Sequence, residues 1–555
     1  MNPPPPRAST LARLANEEFE LLVVGGGATG AGIARDAATR GLRVALVEAG
    51  DFAGQTSSQS SRLIHGGLRY LQYGDLRLVF EGLAERRHLM TTAPHLCRPV
   101  EFVFPGYRGE RPGLFTEGVG IALYNALALW RPPASSRRLD AHELYAIAPG
   151  LRSANLLGAQ CYVDCQTDDA RLVLENVLDA EGAGAAVLSH APVTLLERDE
   201  RGRVRGATIS TEKARPLSVR ARVVVNATGP FSDAFERGRA RRNLRPTLGV
   251  HVVVSAERLP HGGRVVVLRS PRDNRLFFVL PAGPRTVAGT TDTDWSPPGA
   301  RGSPPAIGDE IRARRADVEY LLEAVNHAFP PARLGPDDVL ATTAGLRPLL
   351  ATSPGATNTP SQTSREHELI REPDGLLTIV GGKLTTLRRM GQQVVDVVVE
   401  ILRDKGREEP AGPCVTPARP LPGGGTPAPL PADRDELPED VREHLTATYG
   451  SRVLDVLALR ATAPALASRI DPELPYLWAE VVHAIQHEHA REVADVLMRR
   501  VPLFRQARDQ GLSVAPLVAA SLGEILGWSS ARRQSSLEAY ESAVDRSRAW
   551  RGDPA

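Results

Sequence analysis

Apolar and polar positions change period several times along this chain, and each change marks an element. Residues 19–24 form a short, mostly apolar run ending in two valines, the pattern of a buried strand. Glycines follow at once, then a helix-compatible stretch over 28–40. After Gly41 a second apolar run, 42–47, stops at Glu48. Strand, tight turn, helix, strand is the order of a βαβ unit with a parallel sheet. Residues 218–225 form another β-rich run, ending in Asn226-Ala227-Thr228-Gly229-Pro230. Between about 240 and 340, strand-like runs at 251–254, 264–268, 275–280 and 286–288 alternate with turn signals, which predicts a mainly antiparallel sheet. Residues 376–380 return to the buried-strand pattern before Gly381-Gly382, and a helical stretch runs on to about Asp404.

From 405 to 438 the composition shifts to proline, glycine and charge, which reads as a linker. Beyond it, 439–545 carries helix-period patterns and almost no strand signal, so a separate α-helical domain is expected. Residues 1–18 open with the prolines Pro3 to Pro6 and read as a disordered tail with no signal-peptide character. A chain of 555 residues is too long for one simple core. Its net charge of +2 argues against a nucleic-acid binder, yet leaves room for a local basic cluster around an anionic substrate. Four cysteines are too few for a disulfide framework at this length, so a reduced, cytosolic setting is expected. No run of about 20 clean apolar residues occurs, so no spanning helix is expected. Residues 113–130 come nearest, broken by Glu117 and Asn125. They read either as a helix lying on a membrane surface or as a partly buried one.

Gly25-Gly26-Gly27-Ala28-Thr29-Gly30 fits the dinucleotide fingerprint G-x-G-x-x-G. The glycines allow a tight turn, close backbone approach to a pyrophosphate and close helix–strand packing. The helix starting near Ala28 aims free N–H groups and its positive dipole end at the phosphates. Glu48, at the end of the next strand, suits ribose hydroxyls. Three features favour FAD over NAD: the motif opens the folded chain, a late Gly381-Gly382 turn returns to the same sheet, and Asn226-Ala227-Thr228-Gly229 follows a strand. The expected fold is α/β. It comprises a Rossmann-like FAD-binding domain assembled from 19–95, 150–235 and 341–404, an antiparallel-sheet substrate or cap domain from 96–149 and 236–340, and the C-terminal α-helical domain.

The segment Thr56-Ser57-Ser58-Gln59-Ser60-Ser61-Arg62-Leu63-Ile64-His65-Gly66-Gly67-Leu68-Arg69-Tyr70-Leu71 resembles the signature of FAD-dependent glycerol-3-phosphate dehydrogenases of the aerobic, respiratory type. So do Asp168 to Leu172, Asn226 to Pro230, Gly289-Thr290-Thr291-Asp292, Gly345-Leu346-Arg347-Pro348-Leu349 and Gly381-Gly382-Lys383-Leu384-Thr385-Thr386, in family order. The helical tail matches through Glu488, Asp495, Arg499-Arg500 and Leu526-Gly527-Trp528. Arg62, Phe231 and Val501 depart from the usual lysine, tryptophan and threonine, which bears on substrate preference more than on reaction type.

The resemblance implies oxidation of glycerol 3-phosphate to dihydroxyacetone phosphate, with hydride transfer to flavin N5 and electrons passed to a quinone. Guanidinium forks and a lysine suit the phosphate, and Arg69, Arg347 and Lys383 each sit beside glycines. Arg365 joins them by resemblance, and Tyr70 and Thr290 can add neutral bonds. The alcohol proton needs a base, for which histidine is suited near neutral pH. His251 matches a family position close to the flavin, and His65 competes for the role. Arg347 and Lys383 also enter the catalytic set. Gly25, Gly27, Ala28, Thr29, Gly30, Glu48, Thr56, Ser57, Ser58, Ser61, Arg62, Leu63, His65, Gly66, Gly67, Ala227, Thr228, Gly229, Gly381, Gly382, Lys383, Leu384 and Thr385 are expected to hold FAD. His483, His487 and His489 have helix spacing, but no second ligand cluster accompanies them, and no metal is expected. Cys161 and Cys165 read as packed thiols. The competing readings are a soluble oxidase that passes electrons to O2 and makes H2O2, a flavoprotein scaffold without turnover, and an amine-oxidising relative. A homodimer at the inner face of the cytoplasmic membrane is the expected setting.

Overall fold

The computed structural model describes residues 5–128, 133–211, 215–235, 244–297, 310–351, 367–425 and 437–554. Two sheets and a helical domain make up the fold, as the alternation of periods predicts. The first sheet has eight strands among the described residues, and its spine is ordered His367–Arg371, Leu377–Gly381, Leu217–Asn226, Glu18–Val24, Val44–Val47, Ala186–Leu188. The four central pairings are parallel. Every residue of Glu18–Val24 after the first is buried, as in a strand covered on both faces; all are apolar but Glu20, which pairs with Arg407 at 2.6 Å. The helices Ala28–Thr39, Asp169–Gly182 and Leu387–Asp404 cover one face. Gly32 and Gly391 let the first and third approach backbone to backbone: a Cβ on Gly32 would lie 2.6 Å from Leu387 O.

Among the described residues the second sheet has ten strands, eight of them in the path Thr293–Asp294, Leu244–Ser255, Arg285–Gly289, Leu276–Ala282, Val265–Arg269, Arg98–Tyr107, Leu156–Gln166, Leu63–Ile64, with Arg137–Leu139 and Ala341–Leu350 paired off it. It is antiparallel except where Val265–Arg269 runs parallel to Arg98–Tyr107. Ala341–Leu350 pairs with Leu244–Ser255 along its whole length, setting His251 opposite Thr343 and Thr247 opposite Arg347. The other neighbour, Arg285–Gly289, sets Gly289 opposite His251. Three strands thereby converge on one histidine.

Several expected boundaries need correction. Residues 1–18 are not simply a tail: Arg7–Asn16 is a helix whose Leu14 is fully buried, and Arg7 Nη1 donates to Ser189 O at 2.8 Å. Its apolar positions complete the outer face of the first sheet. The segments 150–235 and 341–404 do not belong wholly to the first sheet, since Leu156–Gln166 and Ala341–Leu350 lie in the second. The described part of 405–438 is a packed strap. Thr416 Oγ1 and Cys414 Sγ donate to Asp36 Oδ1, and Leu421 is buried against the first domain. Proline-rich sequence there reflects extended backbone without its own ladder, not a loose linker.

The tail is helical, with Glu439–Tyr449, Val453–Arg460, Trp478–His487, Ala515–Leu526 and Ser530–Arg548 as its longer helices and its own apolar core. It is tied to the first domain by buried ion pairs: Arg171 with Glu488, Arg452 with Glu175, and Arg499 and Arg500 with Asp51. No described helix is long and apolar enough to cross a membrane.

Candidate active site

The glycine turn sits where the first strand meets the first helix. Gly25 has φ +107°, and a Cβ there would lie 2.6 Å from Ala227 O. A Cβ on Gly30 would fall on Gly25 O, so neither position tolerates a side chain. Glu48 accepts from Gly26 N at 2.6 Å and from Gly50 N at 2.9 Å, which fixes its carboxylate at the rim of the turn. Burial pushes its pKa up, and those two N–H groups oppose the shift. Ser57 Oγ accepts from Ala28 N at 2.9 Å, and Thr29 lies in the same first turn. Thr56 Oγ1 donates to Leu346 O at 2.7 Å, and Ser58 is buried beside it. On the opposite strand, Ala227 N donates to Val24 O at 2.8 Å and Thr228 Oγ1 to Asn226 Oδ1 at 2.7 Å; Gly229, at φ +59°, turns the chain away. Five elements thus present a strip of glycine backbone and small hydroxyls, with an acid at one end. Such a cradle fits FAD in its extended form.

The strip continues into a cleft of about 560 Å³ between the two sheets. His251 lies on its wall, 2% exposed; its Nε2 is 2.9 Å from Ser61 Oγ and its Nδ1 3.4 Å from Thr343 Oγ1. Burial first, then the charges of Arg347 and Arg62, pull its pKa down to about 3, so it is neutral at physiological pH. Arg347 crosses Gly249, where a Cβ would meet its guanidinium. It donates to Thr290 Oγ1 at 2.8 Å and pairs with Asp292 at 3.2 Å. Lys383 Nζ stands 3.8 Å from the centre of the Tyr70 ring. Gly381 and Gly382, at φ +78° and +94°, carry the chain past the cleft, and Leu384 and Thr385 close the turn. His65 borders the cleft from the other side and donates its N–H to Thr385 Oγ1 at 3.3 Å. Gly66 N donates to Tyr124 OH at 2.7 Å, and Gly67, at φ +84°, lets the Tyr70 ring pack over it.

Not every expected residue faces the cleft. Leu63 is a buried residue of the second sheet that touches its floor. Arg62 turns the other way and pairs with Asp169 at 3.4 Å and Asp168 at 3.6 Å, so it reaches the nucleotide strip only through backbone. The backbone of Arg69 lies in the short helix Leu68–Tyr73, but its side chain and the whole of Arg365 lie outside the described residues.

Sequence reading missed other cleft groups. Asp292 is 5% exposed and takes Arg347, Arg275 and Thr247. Its place in the Gly289-Thr290-Thr291-Asp292 motif was the available signal. Glu117 pairs with Arg269 at 3.3 Å, and burial pushes its pKa up to about 7 against that cation. Thr343 became visible only through the strand register. Among the described lining residues, Arg269, Arg275, Arg347 and Lys383 face just two carboxylates, Glu117 and Asp292. The three helix-spaced histidines make protein contacts: His483 with Glu488, His487 stacked on the His483 ring, and His489 with Glu181. Asp51, His190 and Asp495 cluster within metal-binding reach, but Arg499 and Arg500 already neutralise their carboxylates. Cys161 and Cys165 are buried free thiols.

A family profile described as FAD dependent oxidoreductase matches residues 20–392, and one described as the C-terminal domain of alpha-glycerophosphate oxidase matches 414–533. Glycerol-3-phosphate dehydrogenase 2 of Mycobacterium tuberculosis is 37% identical over 98% of this chain and 91% of its own. Aerobic glycerol-3-phosphate dehydrogenase of Staphylococcus aureus is 32% identical over 98% and 97%. The chain belongs to the FAD-dependent glycerol-3-phosphate dehydrogenase family. A crystal structure of the Bacillus halodurans glycerol-3-phosphate dehydrogenase complexed with FAD superposes with a TM-score of 0.76 at 28% identity, covering 98% of this chain and 97% of that one. Membership makes the chain an FAD-dependent enzyme.

Proposed function

We propose that this enzyme oxidises sn-glycerol 3-phosphate to dihydroxyacetone phosphate and passes the electrons to a quinone. One observation carries the reading most: a neutral, buried His251 and a guanidinium fork, Arg347, are held on adjacent strands of one cleft in which cations outnumber carboxylates. That pairing suits a substrate with a dianionic end and a secondary alcohol. The dehydrogenase names of relatives that match nearly the whole chain support the same substrate.

Arg347 and Lys383 take the phosphate, with Arg69 and Arg365 added, while Tyr70 and Thr290 bond its remaining oxygens. Two-oxygen contact with a guanidinium fixes orientation as well as affinity. The C2 hydroxyl then lies toward His251. FAD, when bound, supplies the N5 position that accepts the C2 hydride. His251 accepts the hydroxyl proton at Nε2, where the substrate hydroxyl takes the place of Ser61 Oγ, while Thr343 holds Nδ1. The incoming phosphate balances Arg347, one of the charges that depress the histidine, so basicity rises when substrate is in place. His65 is the second candidate for the base. Gly381 to Lys383 would hold the pyrimidine end of the flavin, where their backbone N–H groups would stabilise negative charge, and Glu48 would hold the ribose.

Delivery to a quinone implies a membrane surface. On the helix Leu114–Leu127, Phe115, Val119 and Leu123 are 84%, 55% and 44% exposed at i, i+4 and i+8, and Phe80 of the helix Leu76–Thr92 is 46% exposed. Such a face suits shallow burial among lipid headgroups at the inner side of the cytoplasmic membrane, with the enzyme as a homodimer. Trp130 of the same sequence segment lies outside the described residues. Anaerobic addition of glycerol 3-phosphate should bleach the flavin, and a quinone analogue should restore its colour faster than oxygen does. Flavin that stays yellow overturns the substrate; faster recovery with oxygen, with H2O2 formed, overturns the acceptor.

A further inference from the structure

A second cavity, of about 480 Å³, lies where the two sheets and the helical tail meet. Ser60 and Arg62 border it from the nucleotide side, Leu280 and Thr343 from the second sheet, and Arg505 and Gln506 from the tail. Seams between domains are favoured places for small-molecule sites. This one differs from the catalytic cleft in the charge it leaves unbalanced.

Arg505 is 8% exposed. Its Nη1 donates to Ser58 O at 3.0 Å and its Nη2 to Met498 O at 3.5 Å, while Nε has no acceptor. It makes no ion pair among the described residues. Of the other guanidiniums lining the cavity, Arg62 is balanced by Asp168 and Asp169, Arg171 by Glu488 and Glu175, and Arg499 and Arg500 by Asp51, while Arg98 is exposed to solvent. At the outer wall Asp440 pairs with Arg469 and Glu473 with Arg508, and Glu443 is exposed. A buried cation without a counter-charge is strongly disfavoured unless an anion meets it.

We propose that this seam is a second binding site, for a small oxyanion (a phosphate ester or a carboxylate), anchored by Arg505. Its occupant communicates with the catalytic cleft. Arg505 holds Ser58 O, in the turn whose Ser57 caps the helix at Ala28. Ser61 and Thr343, which also border the cavity, hold the two ring nitrogens of His251. An anion that fixes Arg505 therefore firms the loop that cradles FAD. The inference stands apart from the choice of catalytic substrate and survives if that choice is wrong.

The test uses the FAD-loaded full chain with Arg347→Ala and Lys383→Ala, so that the cleft no longer competes for anions. Isothermal titration with inorganic phosphate, and separately with malonate, should show one site per chain for at least one of them. The stronger of the two tells phosphate ester from carboxylate. Adding Arg505→Ala should weaken that binding by about tenfold or more, the worth of a charge-assisted bond. Ala447→Trp, which fills the cavity from the tail without touching Arg505 chemistry, should abolish it and covers the case in which the arginine variant fails to fold. Bound anion should also slow FAD release after dilution. Absence of binding to the cleft-disabled protein, or binding that both Arg505→Ala and Ala447→Trp leave intact (an adventitious ion only), overturns the proposal.

Discussion

Arg347→Ala probes the proposed phosphate grip most directly. Its guanidinium is positioned from three sides, by Thr290 at 2.8 Å, Asp292 at 3.2 Å and the bare backbone of Gly249. Alanine removes the fork while leaving Asp292 with Thr247 at 2.8 Å and Arg275 at 3.6 Å, so the fold should survive. A hydrogen bond to a charged group is worth about 1.5–3 kcal/mol. At about 1.4 kcal/mol per factor of ten, loss of one such contact lowers kcat/KM by roughly 10- to 150-fold. A fork that bonds two oxygens puts the expected fall near the upper end. Most of it should be in KM, because the phosphate is held equally before and during hydride transfer. The assay is anaerobic dye-linked turnover with glycerol 3-phosphate, set against the slow rate with glycerol. Arg347→Lys keeps the charge but not the fork and should fall between wild type and alanine. Unchanged kinetics, or an equal fall with both substrates, would show that Arg347 does not read the phosphate.

His251→Ala should slow flavin reduction in single-turnover mixing by about 10²–10⁴ while FAD stays bound; an undiminished rate moves the base elsewhere, with His65 next in line. Glu48→Ala strips the acceptor from Gly26 N and Gly50 N and should cost FAD on gel filtration more than it alters KM, so full flavin occupancy contradicts its role. Glu117 has its pKa raised from 4.5 to about 7, chiefly by burial. The folded state thus holds its proton longer than the unfolded state, and stability falls as pH rises through that window, by about 3 kcal/mol at most. Glu117→Gln should flatten the decline in Tm, and a slope unchanged from wild type would refute the assignment.

The parts of the fold legible in the sequence are those where local pattern and tertiary burial agree. The strands Glu18–Val24 and Leu377–Gly381 are covered on both faces, so apolar residues follow one another in short runs that stand out from their surroundings. The glycine turn was legible because backbone approach dictates residue type: Gly25 and Gly30 have no room for Cβ. Arg7–Asn16 was read as a tail because only Leu14 and Thr10 are buried, too few to reveal a period beside a run of prolines. Leu156–Gln166 and Ala341–Leu350 fell in the wrong domain because strands that switch sheets carry no local mark; pairing over long sequence separation decides where they sit.

The same distinction explains which site residues could be found. Arg347 and Lys383 were visible because glycines beside them advertise a ligand, whereas Thr343 acts on a group elsewhere and looks like an ordinary strand residue. Arg62 shows the converse. It sits within the serine-rich signature, yet its charge is spent on Asp168 and Asp169 at the start of the helix Asp169–Gly182. With Asp169 fully buried, its pKa pushed up to about 6, and Ser60 bonded to it at 2.8 Å, this arginine fixes the loop from behind. A lysine there would keep the charge but lose the planar fork that meets two carboxylates at once. The arginine therefore bears on how firmly the FAD loop is anchored to the tail-facing wall, and less on which alcohol is oxidised. Arg62→Lys should accordingly loosen FAD retention and leave the KM for glycerol 3-phosphate within about twofold, since the lost contact stabilises the loop and not the substrate. A shift in KM without any change in flavin release would place Arg62 in the substrate pocket instead.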